Sequence, residues 1–153
     1  MLYQMIVALC GHNDVANPEN VRRWLEQTTE ALMQRGATTF YLGGYGGFDR
    51  LAASVLCKVS AENPSVESIL VVPYLNRKTE NDFYDGTIYP PLENVPKRLA
   101  IIKRNEWMVD HADVIVAYVL HEWGGANIML RYAIRKGKEI LRYSAGPDTP
   151  SAV

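Results

Sequence analysis

The chain has 153 residues, 48% of them hydrophobic and 22% charged, a balance that suits one folded domain around one core and excludes a disordered chain. Its formal net charge of -1, from Lys+Arg 16 against Asp+Glu 17, predicts no long-range field that would gather nucleic acid or anionic membrane. No stretch approaches the ~18 consecutive apolar residues of a membrane helix.

Residues 5–10 (MIVALC) form a short apolar run stopped by Gly11, which predicts a buried strand. Asn17-Pro18 then supplies a cap and a first-turn proline. Val21, Trp24, Leu25, Thr28 and Leu32 recur at helical spacing until Gly36. The β-rich run 38–42 (TTFYL) passes directly into Gly43-Gly44-Tyr45-Gly46-Gly47, and Phe48, Leu51, Ala52, Val55, Leu56 and Val59 mark a second amphipathic helix. A third strand is expected at 68–72 (SILVV), ended by Pro73.

Residues 74–98 break the rhythm with Pro90, Pro91 and Pro96 among polar residues, and with Phe83, Tyr84 and Tyr89. A loop of that length is expected, its aromatics favouring an ordered lid or a dimer contact. A helix follows around 104–111, then a strand at 113–119 (DVIVAYV), a helix opened by Gly124-Gly125 and closed by Gly137, and a last strand at 139–143 (EILRY). Residues 146–153 read as a frayed tail to a domain spanning 1–145. Alternating helices and continuously apolar strands predict a Rossmann-like α/β/α sandwich with a mostly parallel sheet of about five strands.

In such folds ligands bind beyond the carboxyl ends of the strands, where the strand order reverses. Three strand-to-helix turns fall on that rim: Gly11-His12-Asn13-Asp14, Gly43 through Asp49, and Trp123-Gly124-Gly125-Ala126-Asn127. Glycines there let a ligand approach the backbone, and a helix start aims unpaired N–H groups at it, which suits a phosphate. The same glycines would also serve tight turns alone. The second turn lacks the third glycine of G-x-G-x-x-G, since Asp49 stands in that place, and it lacks the Lys-Ser/Thr of a P-loop. Asp49 reads first as a helix cap. His12 reads equally as a ligand contact or a packed ring, and His111 and His121 have no ligating partner at useful spacing. No H-x-x-x-H, C-x-x-C or carboxylate cluster predicts a metal, no G-x-S-x-G predicts a serine hydrolase, and no cofactor is identified. Cys10 and Cys57 lie in apolar patterns and read as buried hydrophobes of a protein of the reducing cytoplasm. No signal peptide is expected.

Taken in order, CGHN, YLGGYGGFDRLAA, VVPY, RNEWMVDHADVIVAY and GGANIMLRYA resemble the SLOG superfamily, and within it the YpsA-like branch, which reads GHR, GG-x-x-GFD-x-x-A and RN-x-x-M-V-D. The resemblance runs from about Ile6 to Tyr143. It implies a Rossmann-like domain that binds nucleotides or nucleotide-derived ligands, with Gly11, His12, Asn13, Gly43, Gly44, Gly46, Gly47, Asp49, Pro73, Arg104, Asn105, Gly124, Gly125 and Ala126 at the site. The superfamily also holds the Lonely Guy phosphoribohydrolases, which cleave the N-glycosidic bond of nucleoside monophosphates with an Arg and a Glu, and the DNA-processing DprA proteins. Arg104 matches the Lonely Guy Arg, standing before Met108 and Ala112-Asp113. The Glu-bearing segment is replaced by Trp123-Gly124-Gly125-Ala126-Asn127-Ile128, leaving Glu122 or Asp49 as stand-ins, and Asn13 replaces the Arg of the first turn.

Three functions follow as expectations: a module that senses or sequesters a nucleotide-like small molecule; an N-glycosidic hydrolase or transferase using Arg104 with Asp49 or Glu122; and a DprA-like DNA-associated protein, disfavoured by the near-neutral charge and by basic residues not interleaved with aromatics. The group Lys97, Arg98, Lys103, Arg104 reads as a solvated face. Trp107, Trp123 and the aromatic segment would supply an apolar patch for a two-fold homo-oligomer, and core packing would explain them equally.

Overall fold

The computed structural model describes residues 4–75 and 83–145. β1 (Met5–Gly11), α1 (Pro18–Gln34), β2 (Ala37–Leu42), α2 (Gly46–Glu62) and β3 (Glu67–Val71) come first. They are followed by β4 (Gly86–Ile88), a 3-10 turn at Lys97–Leu99, α3 (Ala100–Asp110), β5 (Val114–Tyr118), α4 (Gly125–Arg135) and β6 (Glu139–Arg142). The strands make one six-stranded sheet in the order β4-β3-β2-β1-β5-β6, and every pairing is parallel.

The two-residue period of a strand explains why these runs are apolar throughout. Val7 and Leu9 of β1, with Val114, Val116 and Tyr118 of β5, face Val21, Leu25 and Leu32 of α1 and Phe48, Ala52 and Leu56 of α2. The intervening Ala8 and Cys10, with Ile115 and Ala117, face Met108 and Val109 of α3 and Met129, Leu130 and Ala133 of α4. Both sheet faces are covered, so no polar alternation survives in the central strands. Phe48 is fully buried and stacks on Tyr118 at 5.7 Å between centroids, tying the start of α2 to the end of β5. Burying such a ring contributes about 1.5–3 kcal/mol.

Three local readings are corrected. The sheet has a sixth strand, β4, which lies inside the stretch expected to be a loop; Ile69 pairs with Gly86 and Val71 with Ile88. Three residues that are only half-buried or exposed, on a sheet edge and among prolines, leave little apolar pattern to find. α3 starts at Ala100 rather than near Arg104, led in by the 3-10 turn after Pro96. Asn17 does hold the N-cap position before Pro18, but its side chain makes no cap; it adopts the left-handed conformation (φ 51°) and its carbonyl accepts from Asn20 and Val21 N–H. The expected tail at 146–153 and the middle of the 74–98 stretch, 76–82, lie outside the described residues.

Strand order sets the position of the site. The chain builds outward from β1 to β4, then returns to place β5 on the other side of β1, so the order reverses between β1 and β5. Gly11 pairs with Tyr118 at their carboxyl ends, which leaves a crevice open above them.

Candidate functional site

A cleft of about 500 Å³ lies at that reversal. Its wall is formed by Leu9, Cys10 and Gly11 at the end of β1, Asn13 after it, Gly43 and Tyr45 after β2, and Gly46, Asp49 and Arg50 of α2. Ile101, Arg104, Asn105 and Met108 of α3 and Gly125, Ala126 and Met129 of α4 complete it. Of the residues singled out in the sequence, Gly11, Asn13, Gly43, Gly46, Asp49, Arg104, Asn105, Gly125 and Ala126 thus come together. His12, Gly44, Gly47, Pro73, Gly124 and Glu122 stand outside this lining. Leu9, Cys10, Tyr45, Arg50, Ile101, Met108 and Met129 line the cleft without having been expected as site residues. The inward period of β1 and the helical spacing of Ile101, Arg104 and Met108 are the signals that carry them.

The glycines divide by what the protein itself demands of them. A Cβ on Gly11 would meet the Phe48 ring at 2.2 Å, and one on Gly47 would meet the Asn13 carbonyl oxygen at 2.3 Å. Gly46 has φ +88° and an added Cβ would lie 2.8 Å from the Asn13 Cα, while one on Gly43 would press on the Arg104 guanidinium at 2.9 Å. These positions need glycine so that the first and second turns and Arg104 can pack together. Around Gly125, by contrast, an added Cβ would meet nothing within 4 Å, and its φ is not left-handed. Nothing among the described residues requires a glycine there.

The two helix starts at the cleft divide in the same way. At α2 the Asn13 carbonyl accepts from Gly47 N–H at 2.8 Å and the His12 carbonyl from Phe48 N–H at 3.2 Å. The Asp49 carboxylate accepts from Tyr45 N–H at 3.0 Å. That end is stoppered by the protein's own oxygens. At α4 the first bond made is Ile128 N–H to the Gly124 carbonyl at 3.1 Å, no side chain caps the end, and among the described residues the N–H groups of Gly125, Ala126 and Asn127 have no partner. Unpaired N–H groups at the positive end of a helix dipole suit an anion.

Arg104 is 2% exposed, and its guanidinium is built into the wall. Nη1 donates to the carbonyls of Gly43 at 2.8 Å and Val71 at 2.7 Å, and Nε donates to Asn105 Oδ1 at 2.8 Å. It therefore holds the β2 and β3 carboxyl ends at a fixed spacing while bringing an obligatory positive charge to the cleft. Asp49 is buried nearby. Desolvation pushes its carboxyl up to about 6, against the lowering effects of the Tyr45 N–H, the Arg104 charge and the Gly44 N–H. A carboxyl titrating near neutrality in a cleft is able to hold or release a proton there. Cys10 donates from Sγ to the Ala126 carbonyl at 3.1 Å, and burial pushes its thiol far above the usual range, so it acts as a packed neutral group.

His12 serves the scaffold. Its Nε2 accepts from Leu120 N–H at 2.8 Å, its backbone N–H donates to the Tyr118 carbonyl at 3.2 Å, and burial holds its imidazole below the usual range. Glu122 is exposed. Trp107 packs against Tyr41 and stacks on His111 at 4.1 Å, which is a packing role, whereas Trp123 is exposed. Among the described residues, no three His, Cys, Asp or Glu side chains converge in a metal-binding group, and no helix is long and apolar enough to cross a membrane.

No family model matches the chain. It is similar to a UPF0398 protein of Halalkalibacterium halodurans, 23% identical over 135 residues, which covers 78% of this chain and 70% of that protein. Among solved structures it is similar to DNA processing protein A of Helicobacter pylori, described for its single-stranded DNA binding mode: TM-score 0.67, 16% identity, covering 97% of this chain and 69% of the other. It is also similar to the Moco carrier protein of Chlamydomonas reinhardtii: TM-score 0.57, 16% identity, covering 95% and 79%. These neighbours share the Rossmann-like α/β fold expected from the sequence.

Proposed function

We propose that this SLOG-like Rossmann fold binds a nucleotide or nucleotide-derived small molecule in the cleft, with the phosphate on the N-terminus of α4, as a binding or sensing module. The observation that carries the reading is the pairing at one place of three N–H groups unpartnered among the described residues with a glycine, Gly125, that no contact among those residues requires. A bulky side chain at Gly125 would narrow the approach to those groups, and the absence of a Cβ leaves it open. The Arg104 charge in the cleft wall favours an anion, and the apolar Ile101, Met108 and Met129 suit an uncharged ring or sugar face.

Thermal melting with a panel of nucleoside mono- and diphosphates and ADP-ribose tests this. The wild type is expected to gain stability with at least one of them, and Gly125→Asp to lose that gain by placing a carboxylate where the phosphate would sit. No shift with any compound at millimolar concentration would contradict the reading.

A second reading, N-glycosidic hydrolysis or transfer on nucleoside monophosphates, is favoured by Asp49, which lines the cleft and titrates near 6. Glu122, outside the lining, drops from the pair of carboxylates considered for it. Chromatography of nucleoside monophosphates after incubation would reveal released base, and Asp49→Asn is expected to abolish the release; an intact nucleotide pool leaves the binding module alone. Strand binding of the DprA kind has the fold likeness in its favour and the net charge of -1 against it.

A further inference from the structure

Immediately before α4, three rings stack face to face. His12 lies on His121 at 3.6 Å between centroids and 12° between planes, and His121 lies on Trp123 at 3.8 Å and 17°. The inner ring is fixed, because His12 accepts Leu120 N–H and meets the edge of Tyr118 at 5.9 Å. The middle ring contributes its flat faces at the expense of its polar edge, since His121 Nδ1 is buried with no hydrogen-bond partner among the described residues. The outermost ring, Trp123, is 69% exposed.

Core packing does not account for this stack. Three rings aligned at van der Waals spacing end in solvent, where the largest apolar side chain of the series is left uncovered. Such an arrangement holds an indole rigidly in one orientation, and a rigid flat face recognises another flat face. Trp123 stands two residues before Gly125, so their Cα atoms are within about 7 Å. A phosphate on the α4 N-terminus would therefore place the rest of a mononucleotide within reach of the indole.

We infer that Trp123, backed by His121 and His12, is a stacking platform for the heterocyclic base of the ligand; this rests on the cleft reading above. The platform reads a π-face rather than a hydrogen-bond pattern, so it tolerates different bases and requires that one be present. The phosphate and the base are thus recognised by separate devices on either side of Gly124.

Calorimetric titration separates the two. Wild type, Trp123→Ala and Trp123→Phe are each titrated with AMP, GMP, CMP and UMP, and with ribose 5-phosphate, which carries the phosphate and no base. Because Trp123 is exposed, both variants are expected to melt with the wild type. Trp123→Ala is expected to weaken nucleotide binding roughly 10- to 100-fold while leaving ribose 5-phosphate unchanged, and Trp123→Phe to restore most of the loss. Equal nucleotide affinities in wild type and Trp123→Ala would overturn the platform and leave the cleft standing. Failure of the wild type to bind any of these phosphates would overturn the cleft, and the platform with it. Trp123-dependent binding of a dT oligonucleotide without mononucleotide binding would replace the platform with a strand-binding surface.

Discussion

Asp49 couples the cleft to pH. Its folded-state carboxyl titrates at about 6 against an ordinary 3.8, so between those values the folded chain holds a proton that the unfolded chain has released. Stability from this group is therefore greatest below pH 4 and falls as pH rises to about 6, above which ionised Asp49 costs on the order of 3 kcal/mol. Asp49→Asn is expected to melt above the wild type at pH 8 and to lose that advantage near pH 4; melting curves across the range check it. His12 acts with the opposite sign. Its lowered value means that its contribution is complete above pH 6.5 and fades as pH drops below, through protonation of the unfolded chain. Arg104, which the resemblance placed at the ligand site, lines the cleft and also joins strands, its Nη1 donating to the Gly43 and Val71 carbonyls. Arg104→Ala leaves both acceptors buried without that donor and opens a cavity, so a loss of about 2–4 kcal/mol in chemical denaturation is expected. Arg104→Lys, without the planar fork, is expected to recover only part of it.

At the scale of elements, the two helix starts make opposite predictions for the same substitution. Gly47→Ala drives a methyl onto the Asn13 carbonyl and is expected to cost about 1–3 kcal/mol. Gly125→Ala meets nothing and is expected to be neutral or stabilising by up to about 1 kcal/mol. Urea denaturation of the pair distinguishes them, and equal losses would sink the division of the glycines. This division was not legible in the sequence. The glycine-rich turn after β2 drew attention by its density, yet Gly46 and Gly47 serve contacts with a turn more than thirty positions earlier and Gly43 makes room for Arg104, and the availability of a helix N-terminus depends on where another loop places its carbonyls. The helices and the central strands were legible because burial on both faces leaves uninterrupted apolar runs. β4 was not, because an edge strand of Gly86, Thr87 and Ile88 buries too little to leave a pattern.

Across the whole molecule, the cleft lies where strand order reverses. The outward winding from β1 to β4 and the return to β5 bring turns from three separate strands to one rim, and each plays a different part. The first supplies the carbonyls that close α2. The second holds Asp49 and the backbone that Arg104 grips. The third leaves α4 open and carries Trp123. The likeness to DNA processing protein A and to the Moco carrier protein shows that this framework recurs in proteins with different named roles, so the ligand is to be argued from the rim and not from the sheet.

The proposed anion site is the start of α4 and not the glycine-rich start of α2. Amide chemical shifts of isotopically labelled protein, followed during titration with AMP, test it residue by residue. The N–H signals of Gly125, Ala126 and Asn127 are expected to move in a saturable way, with those of Gly47 and Phe48 nearly still because the Asn13 and His12 carbonyls already hold them. Movement confined to Gly47 and Phe48, or no movement at Gly125, would contradict the account.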